Sequence, residues 1–227
     1  MKKKYFCILT TLFLSIILTS CNKGNYLPKN LNETVHYEVI FKDKEKKIKK
    51  YRQSYFVIKG KDNKIILLKN DGELMSFQVE NTGIEIQTNH YTENMNLEKV
   101  QVNRKTYLPL PIRIGSKWKE KDKTTLKLKL GYDRVYNSNL PVDITNEIIG
   151  EDFVKLKNGK KIRCLKIQGL GETSFIPGPP LGKIEIKVKT ELWLSKGYGL
   201  VKYIRKEQSD SVTMGEILYE KTLILEW

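Results

Sequence analysis

Cysteine, histidine and arginine are all scarce in this chain, and each scarcity removes a class of function. Three cysteines (Cys7, Cys21, Cys164) and two histidines (His36, His90) in 227 residues are too few for a disulfide scaffold. They also exclude a Cys₂His₂ or Cys₄ zinc module and a His-rich catalytic metal site. Only six of the 41 basic residues are arginine. Readers of nucleic acid rely on arginine for bidentate base contacts, so no nucleic-acid partner is expected. Glycine-rich phosphate loops, H-E-x-x-H and G-x-S-x-G are missing too. No carboxylate pair stands out on one apolar face, although a pair assembled from distant strands is left open by spacing alone. The expectation is no enzyme, with no catalytic residue, metal or cofactor.

What is present is a basic chain with one core's worth of apolar residues: 40% are hydrophobic and the formal net charge is +15. Lys2, Lys3 and Lys4 precede a nearly continuous apolar run over residues 5–18, the pattern of a secretory signal too short for a stable membrane span. The run ends in Leu18-Thr19-Ser20-Cys21. This tetrapeptide is similar to the bacterial lipobox, and the resemblance implies cleavage between Ser20 and Cys21. It further implies acylation of Cys21 with palmitate-type chains and anchorage to membrane lipid. Asn22, rather than Asp, then favours the outer membrane where the bacterium has one. Losing residues 1–20 removes three lysines and no acid, which leaves the mature charge at +12. Cys164 becomes the one free thiol, read as a small buried hydrophobe.

Residues 21–33 read as the lipidated cysteine and a polar tether, and residues 34–227 as a single β domain. Val35, Tyr37, Val39 and Phe41 alternate with His36 and Glu38; Ile184, Ile186, Val188, Leu192 and Leu194 alternate with Lys183, Glu185, Lys187, Lys189 and Glu191. Period-2 alternation of this kind buries one face of an antiparallel strand and wets the other. Asp71-Gly72 and Asn158-Gly159 are pairs suited to type I′ hairpins. The expected fold is all-β, a single antiparallel meander forming a twisted, partly open β-barrel or half-barrel with little helix, at most a turn or two within residues 92–100. The proline-bearing stretches at 108–111 and 175–181 read as loops, the second as a rigid connection or a ligand-contacting lip.

The C-terminal half carries a second resemblance. Ile114-Gly115-Ser116-Lys117-Trp118 is followed by Ile149-Gly150-Glu151-Asp152-Phe153-Val154, Cys164-Leu165-Lys166-Ile167 and Leu192-Trp193-Leu194-Ser195-Lys196-Gly197-Tyr198-Gly199-Leu200-Val201-Lys202. This order resembles a class of bacterial secreted and lipoprotein β-domains with the pattern G-x-x-W, G-x-E-x-V, C-L-K and W-Y-A-P-G-V-G-L-V-K. Leu194-Ser195-Lys196 departs from the tyrosine-alanine-proline portion. The resemblance implies a partly open barrel and no known chemistry. Trp118 and Trp193 read as structural plugs or as ligand-stacking surfaces.

Two functions follow as expectations. One is a membrane-anchored envelope module that binds an apolar or amphiphilic ligand, with Trp118 and Trp193 as candidate ligand-binding residues. The other is an envelope interaction or assembly protein that docks another envelope component. The lysine-rich run at 42–50 reads either as a patch for anionic headgroups or as a solvated hairpin tip.

Overall fold

The computed structural model describes residues 26–90, 103–130, 134–137, 139–176, 182–211 and 214–225. Ser20 and Cys21, the helical turn expected within 92–100 and the proline-rich stretch 177–181 lie outside the described residues. Among the described residues the chain forms fourteen strands, one 3₁₀ turn (Lys61–Asn63) and no α-helix.

Strands β1 (Thr34–Lys42), β2 (Ile48–Lys59), β3 (Ile65–Lys69), β4 (Glu73–Val79), β5 (Gly83–His90) and β6 (Asn103–Pro109) run as a meander, each antiparallel to the one before. Next, β7 (Lys117–Lys123) pairs with β10 (Pro141–Lys155), and a separate ribbon of β8 (Lys127–Leu130) and β9 (Arg134–Asn137) is inserted between them. The meander resumes through β11 (Lys161–Phe175), β12 (Ile184–Ser195), β13 (Gly199–Ser209) and β14 (Glu216–Ile224). Finally β14 pairs with β1. The product is a 12-stranded sheet in the order β6-β5-β4-β3-β2-β1-β14-β13-β12-β11-β10-β7. It is a nearly closed antiparallel barrel with one unsealed seam, between its edge strands β6 and β7.

The alternation in the sequence sets the faces. In β10, Val142, Ile144, Asn146 and Ile148 are buried between exposed neighbours; in β12, Ile184, Ile186, Val188 and Thr190 do the same. Both hairpin pairs turn the chain where expected, but not as type I′ turns. Only the glycines take positive φ, +87° at Gly72 and +83° at Gly159. Gly72 N–H donates to the Lys69 carbonyl, and Gly159 N–H to the Leu156 carbonyl, so each turn precedes its glycine. These are three-residue loops that end on a left-handed glycine, which asks nothing unusual of Asp71 or Asn158.

Two apolar clusters fill much of the interior. The larger includes Tyr37, Tyr55, Val57, Phe77, Ile84, Leu108, Ile167 and Leu194. The smaller joins Leu126, Val142, Ile144, Ile184, Ile186, Val188, Met214 and Ile217. Within the segment read as a tether, Tyr26 and Leu27 are buried. Pro28 forms a bridge with Tyr198, Lys29 N–H donates to the Gly197 carbonyl at 3.0 Å and Asn32 N–H to the Val57 carbonyl at 2.7 Å. Among the described residues the docked segment thus includes Tyr26, eight residues before β1. The turn between β10 and β11 reaches β1, where Lys157 Nζ donates to Glu38 at 2.5 Å.

Gly169, at the centre of β11, permits this packing. A Cβ there would lie 2.3 Å from Thr190 Oγ1, 2.4 Å from Asn146 Oδ1 and 2.8 Å from an Ile144 methyl. Gly169→Ala is expected to destabilise the fold by about 2–3 kcal/mol through overpacking, read as a lowered midpoint in urea with an unchanged slope. An unchanged midpoint would contradict the packing described.

Candidate functional site

With no ladder between β6 and β7, side chains span the seam. Trp118 of β7 donates from Nε1 to the Thr106 carbonyl of β6 at 3.0 Å. Lys105 Nζ of β6 reaches Glu120 Oε1 at 2.9 Å and Asp122 Oδ1 at 3.4 Å on β7. In β7 the even positions Trp118, Glu120 and Asp122 are half-buried, whereas Lys117, Lys119, Lys121 and Lys123 are exposed. Lysines along a free edge discourage a further strand from adding to it.

A chain of polar side chains runs inward from the seam. Asn146 donates to Glu120 Oε2 at 3.2 Å. Arg205 of β13 reaches Asp122 Oδ2 at 2.6 Å, Glu207 Oε1 at 2.6 Å and the Lys123 carbonyl at 2.8 Å. Glu207 has no exposed surface; its carboxylate also accepts from Thr125 N (2.8 Å), Thr125 Oγ1 (2.9 Å) and Leu126 N (3.0 Å). Four donors compensate the buried charge and stitch residues 125–126 to β13. Burial alone would raise the pKa of Asp122, but Arg205 and Lys105 more than offset it and hold the carboxyl below its ordinary range.

Between the apolar clusters and this polar chain lies a cavity of about 270 Å³. Its walls are mainly apolar and aromatic: Leu27, Tyr37, Tyr55, Leu67, Met75, Phe77, Ile86, Tyr107, Trp118, Ile144, Leu192, Leu200 and Tyr203 contribute. Lys105, Thr106, Glu120 and Asp122 line both this cavity and a groove of about 940 Å³ along the seam.

One further cation faces the cavity. Lys221 of β14 is 6% exposed. Its Nζ donates to the Tyr55 hydroxyl at 2.7 Å and sits 4.1 Å and 4.4 Å from the ring centroids of Tyr55 and Tyr37. Burial lowers its pKa to about 7. Sequence reading did not single out Lys221, Arg205, Glu207 or Lys105.

The structure separates the two candidate tryptophans. Trp118 lines the cavity. Trp193 pairs across strands with Lys166 and Lys202, whose ammonium groups lie 4.8 Å and 5.7 Å from its ring centroid, and it donates to Asp152 Oδ2 at 2.9 Å. That bond, foremost, lowers the Asp152 pKa. Trp193 is buried on the outward side of β12 and takes no part in the cavity wall. Cys164 is buried and free, its thiol pushed up to about 12 by burial. His36 Nδ1 lies 2.7 Å from Ser54 Oγ on the neighbouring strand. Among the described residues no group of three His, Cys, Asp or Glu side chains is arranged to hold a metal ion. The lysine-rich run 42–50 spans the tip of the β1–β2 hairpin, where Asp43 Oδ1 accepts from the backbone N–H groups of Glu45 and Lys47.

Lys221 gives a pH-dependent expectation. Its folded pKa of about 7 is depressed from the ordinary 10.5, so between those values the unfolded chain holds the extra proton. Native stability therefore rises with pH across that window, and the burial penalty is full below it. Lys221→Met is expected to raise the melting temperature at pH 6, with the gain shrinking as pH rises from 7 towards 10. A variant that melts at or below the wild type at pH 6 would contradict a penalised ammonium. Trp118→Phe, which loses the bond across the seam, is expected to cost about 1 kcal/mol.

No family model and no curated protein sequence matches the chain. Two crystal structures are similar to it, each with 11% identity over 87% of this chain and 96% of theirs. One is a presumed lipoprotein from Parabacteroides distasonis ATCC 8503, at a TM-score of 0.40. The other is a presumed exported protein with a YmcC-like fold from Bacteroides fragilis NCTC 9343, at a TM-score of 0.36.

Proposed function

We propose that this chain is a cell-envelope lipoprotein, anchored through acylated Cys21, whose barrel holds an apolar or amphiphilic ligand without catalysis. The observation that carries the ligand reading is the cavity of about 270 Å³, enclosed by strands from both halves of the sheet and walled by aromatic side chains. A concave, largely apolar and pre-formed site with a few convergent polar groups is what small-molecule recognition requires. The anchoring reading rests on the charged leader, the apolar run and Leu18-Thr19-Ser20-Cys21. Cys21 to Asn25 is five residues, a reach of at most roughly 17 Å, so the anchored barrel would ride close to its bilayer. The alternative is an envelope interaction or assembly protein that docks another envelope component; the lysines exposed along β7 disfavour only docking by strand addition at that edge.

All described strands and both apolar clusters lie within residues 26–225, so a chain of residues 22–227 keeps every contact described. Native mass spectrometry of that chain, purified from the envelope, is expected to show a stoichiometric extra mass that lipid extraction removes. A clean apo mass would overturn the carrier reading. Titration with an apolar probe such as 1-octanol is expected to change tryptophan emission, with the change lost in Trp118→Phe and kept in Trp193→Phe. For the anchor, Cys21→Ser is expected to abolish incorporation of an alkyne-palmitate label, and retained labelling would refute the lipobox reading.

A further inference from the structure

The other cation that lines the cavity has acidic partners: Lys105 reaches Glu120 and Asp122. Arg205, behind the wall, is held by Asp122 and Glu207. Among the described residues Lys221 has no carboxylate within the 4.0 Å of an ion pair. The acid whose charge favours it is Glu73 of β4, which already binds Lys69 of β3 at 3.2 Å, and the Lys69 charge itself disfavours the ammonium. Around the ammonium are the Tyr37 and Tyr55 rings from β1 and β2, with Tyr203 of β13 in cross-strand register beside it. These rings supply cation–π attraction and one hydroxyl acceptor, but no negative charge. An ammonium held in such a place is costly to the fold, and a hydrophobic side chain of similar volume would cost less.

Much of the remaining wall is apolar, with Leu67, Met75, Phe77, Ile86 and Leu192 among its members, and the carboxylates that share it, Glu120 and Asp122, are already paired with Lys105 at the seam. The cavity thus has one cationic pole that lacks a counter-charge and a body suited to hydrocarbon. Its size limits the chain. A cavity of about 150 Å³ takes the six carbons of benzene, so 270 Å³ holds about ten non-hydrogen atoms.

We propose that Lys221 is the head-group recognition residue of the cavity, and that the ligand is a single-chain amphiphile carrying a carboxylate. The carboxylate replaces the missing counter-charge and accepts the charge-assisted hydrogen bond that Tyr55 alone now takes. The alkyl chain lies along the apolar wall. This inference rests on the reading of the cavity as a ligand site and adds to it the class of ligand.

Octanoate and 1-octanol, matched in length and differing in charge, test it by calorimetric titration of residues 22–227 at pH 7. Octanoate is expected to bind at least tenfold more tightly than octanol. Lys221→Met is expected to narrow that preference to within twofold while octanol still binds. Lys221→Gln, which keeps a polar group but no charge, is expected to do the same. Octanoate binding to the wild type in buffers of different ionisation enthalpy is expected to show proton uptake, absent from both variants. Equal affinity of the wild type for the two probes, or a preference that survives both substitutions, would overturn the role of Lys221 and leave the cavity reading standing. Binding of neither probe would overturn both.

Discussion

The missing ladder between β6 and β7 is the constraint on which the interior depends. The sheet closes where the chain's ends meet, since β1 pairs with β14, and stays open between two strands that are consecutive in sequence. Side chains must then do what backbone hydrogen bonds do elsewhere, and they must be polar to reach across. Lys105, Glu120 and Asp122 occupy inward positions for this purpose, and Trp118 caps a free carbonyl of β6. Each inward carboxylate demands a further donor, which brings in Asn146 and Arg205, and through Arg205 the fully buried Glu207. A belt of directional, paired groups cannot interdigitate as methyl groups do. The space it leaves against the aromatic residues is the cavity.

That belt and Lys221 are two different answers to the same problem of buried charge. In the belt the acids and bases satisfy one another, and truncating one partner would strand another without solvent; such losses are typically about 3–5 kcal/mol. Replacing Lys221 strands no charge, because its partners are neutral rings and a phenol, although the buried Tyr55 hydroxyl loses its donor. A fold that needed only stability would favour an apolar residue at that position. The carboxylate ligand proposed for the cavity would offset that cost.

Much of this architecture is readable in the sequence, and the parts that are not share a physical reason. Strand faces follow from alternation in β1, β10 and β12, and the Asx-Gly pairs mark the β3–β4 and β10–β11 hairpins, although the glycine alone carries the left-handed backbone. The outward setting of Trp193 follows from its parity against Leu192 and Leu194. For Trp118 no such signal exists: β7 reads Lys-Trp-Lys-Glu-Lys-Asp-Lys, so its inward face is as polar as many outer faces. Lys221 did leave a trace, being in phase with Ile217, Tyr219 and Leu223 on β14. A lysine in the apolar phase of a strand marks a buried charge, and Arg205 and Glu207, in phase with Tyr203, repeat the pattern on β13. The seam itself has no local signature, since consecutive antiparallel strands ordinarily pair.

The docked N-terminal segment is part of the cavity wall. Leu27 and Pro28 belong to the cavity wall, and Pro28 bridges Tyr198 at the turn that opens β13. Gly199 accommodates this approach: a Cβ there would fall 2.7 Å from the proline ring, and its φ of +72° excludes most side chains in any case. Tyr37, which faces Lys221, donates to the Leu200 carbonyl in the same region at 3.0 Å. The wall beside the cationic pole is thus built in part from residues that follow Cys21 by only six and seven positions.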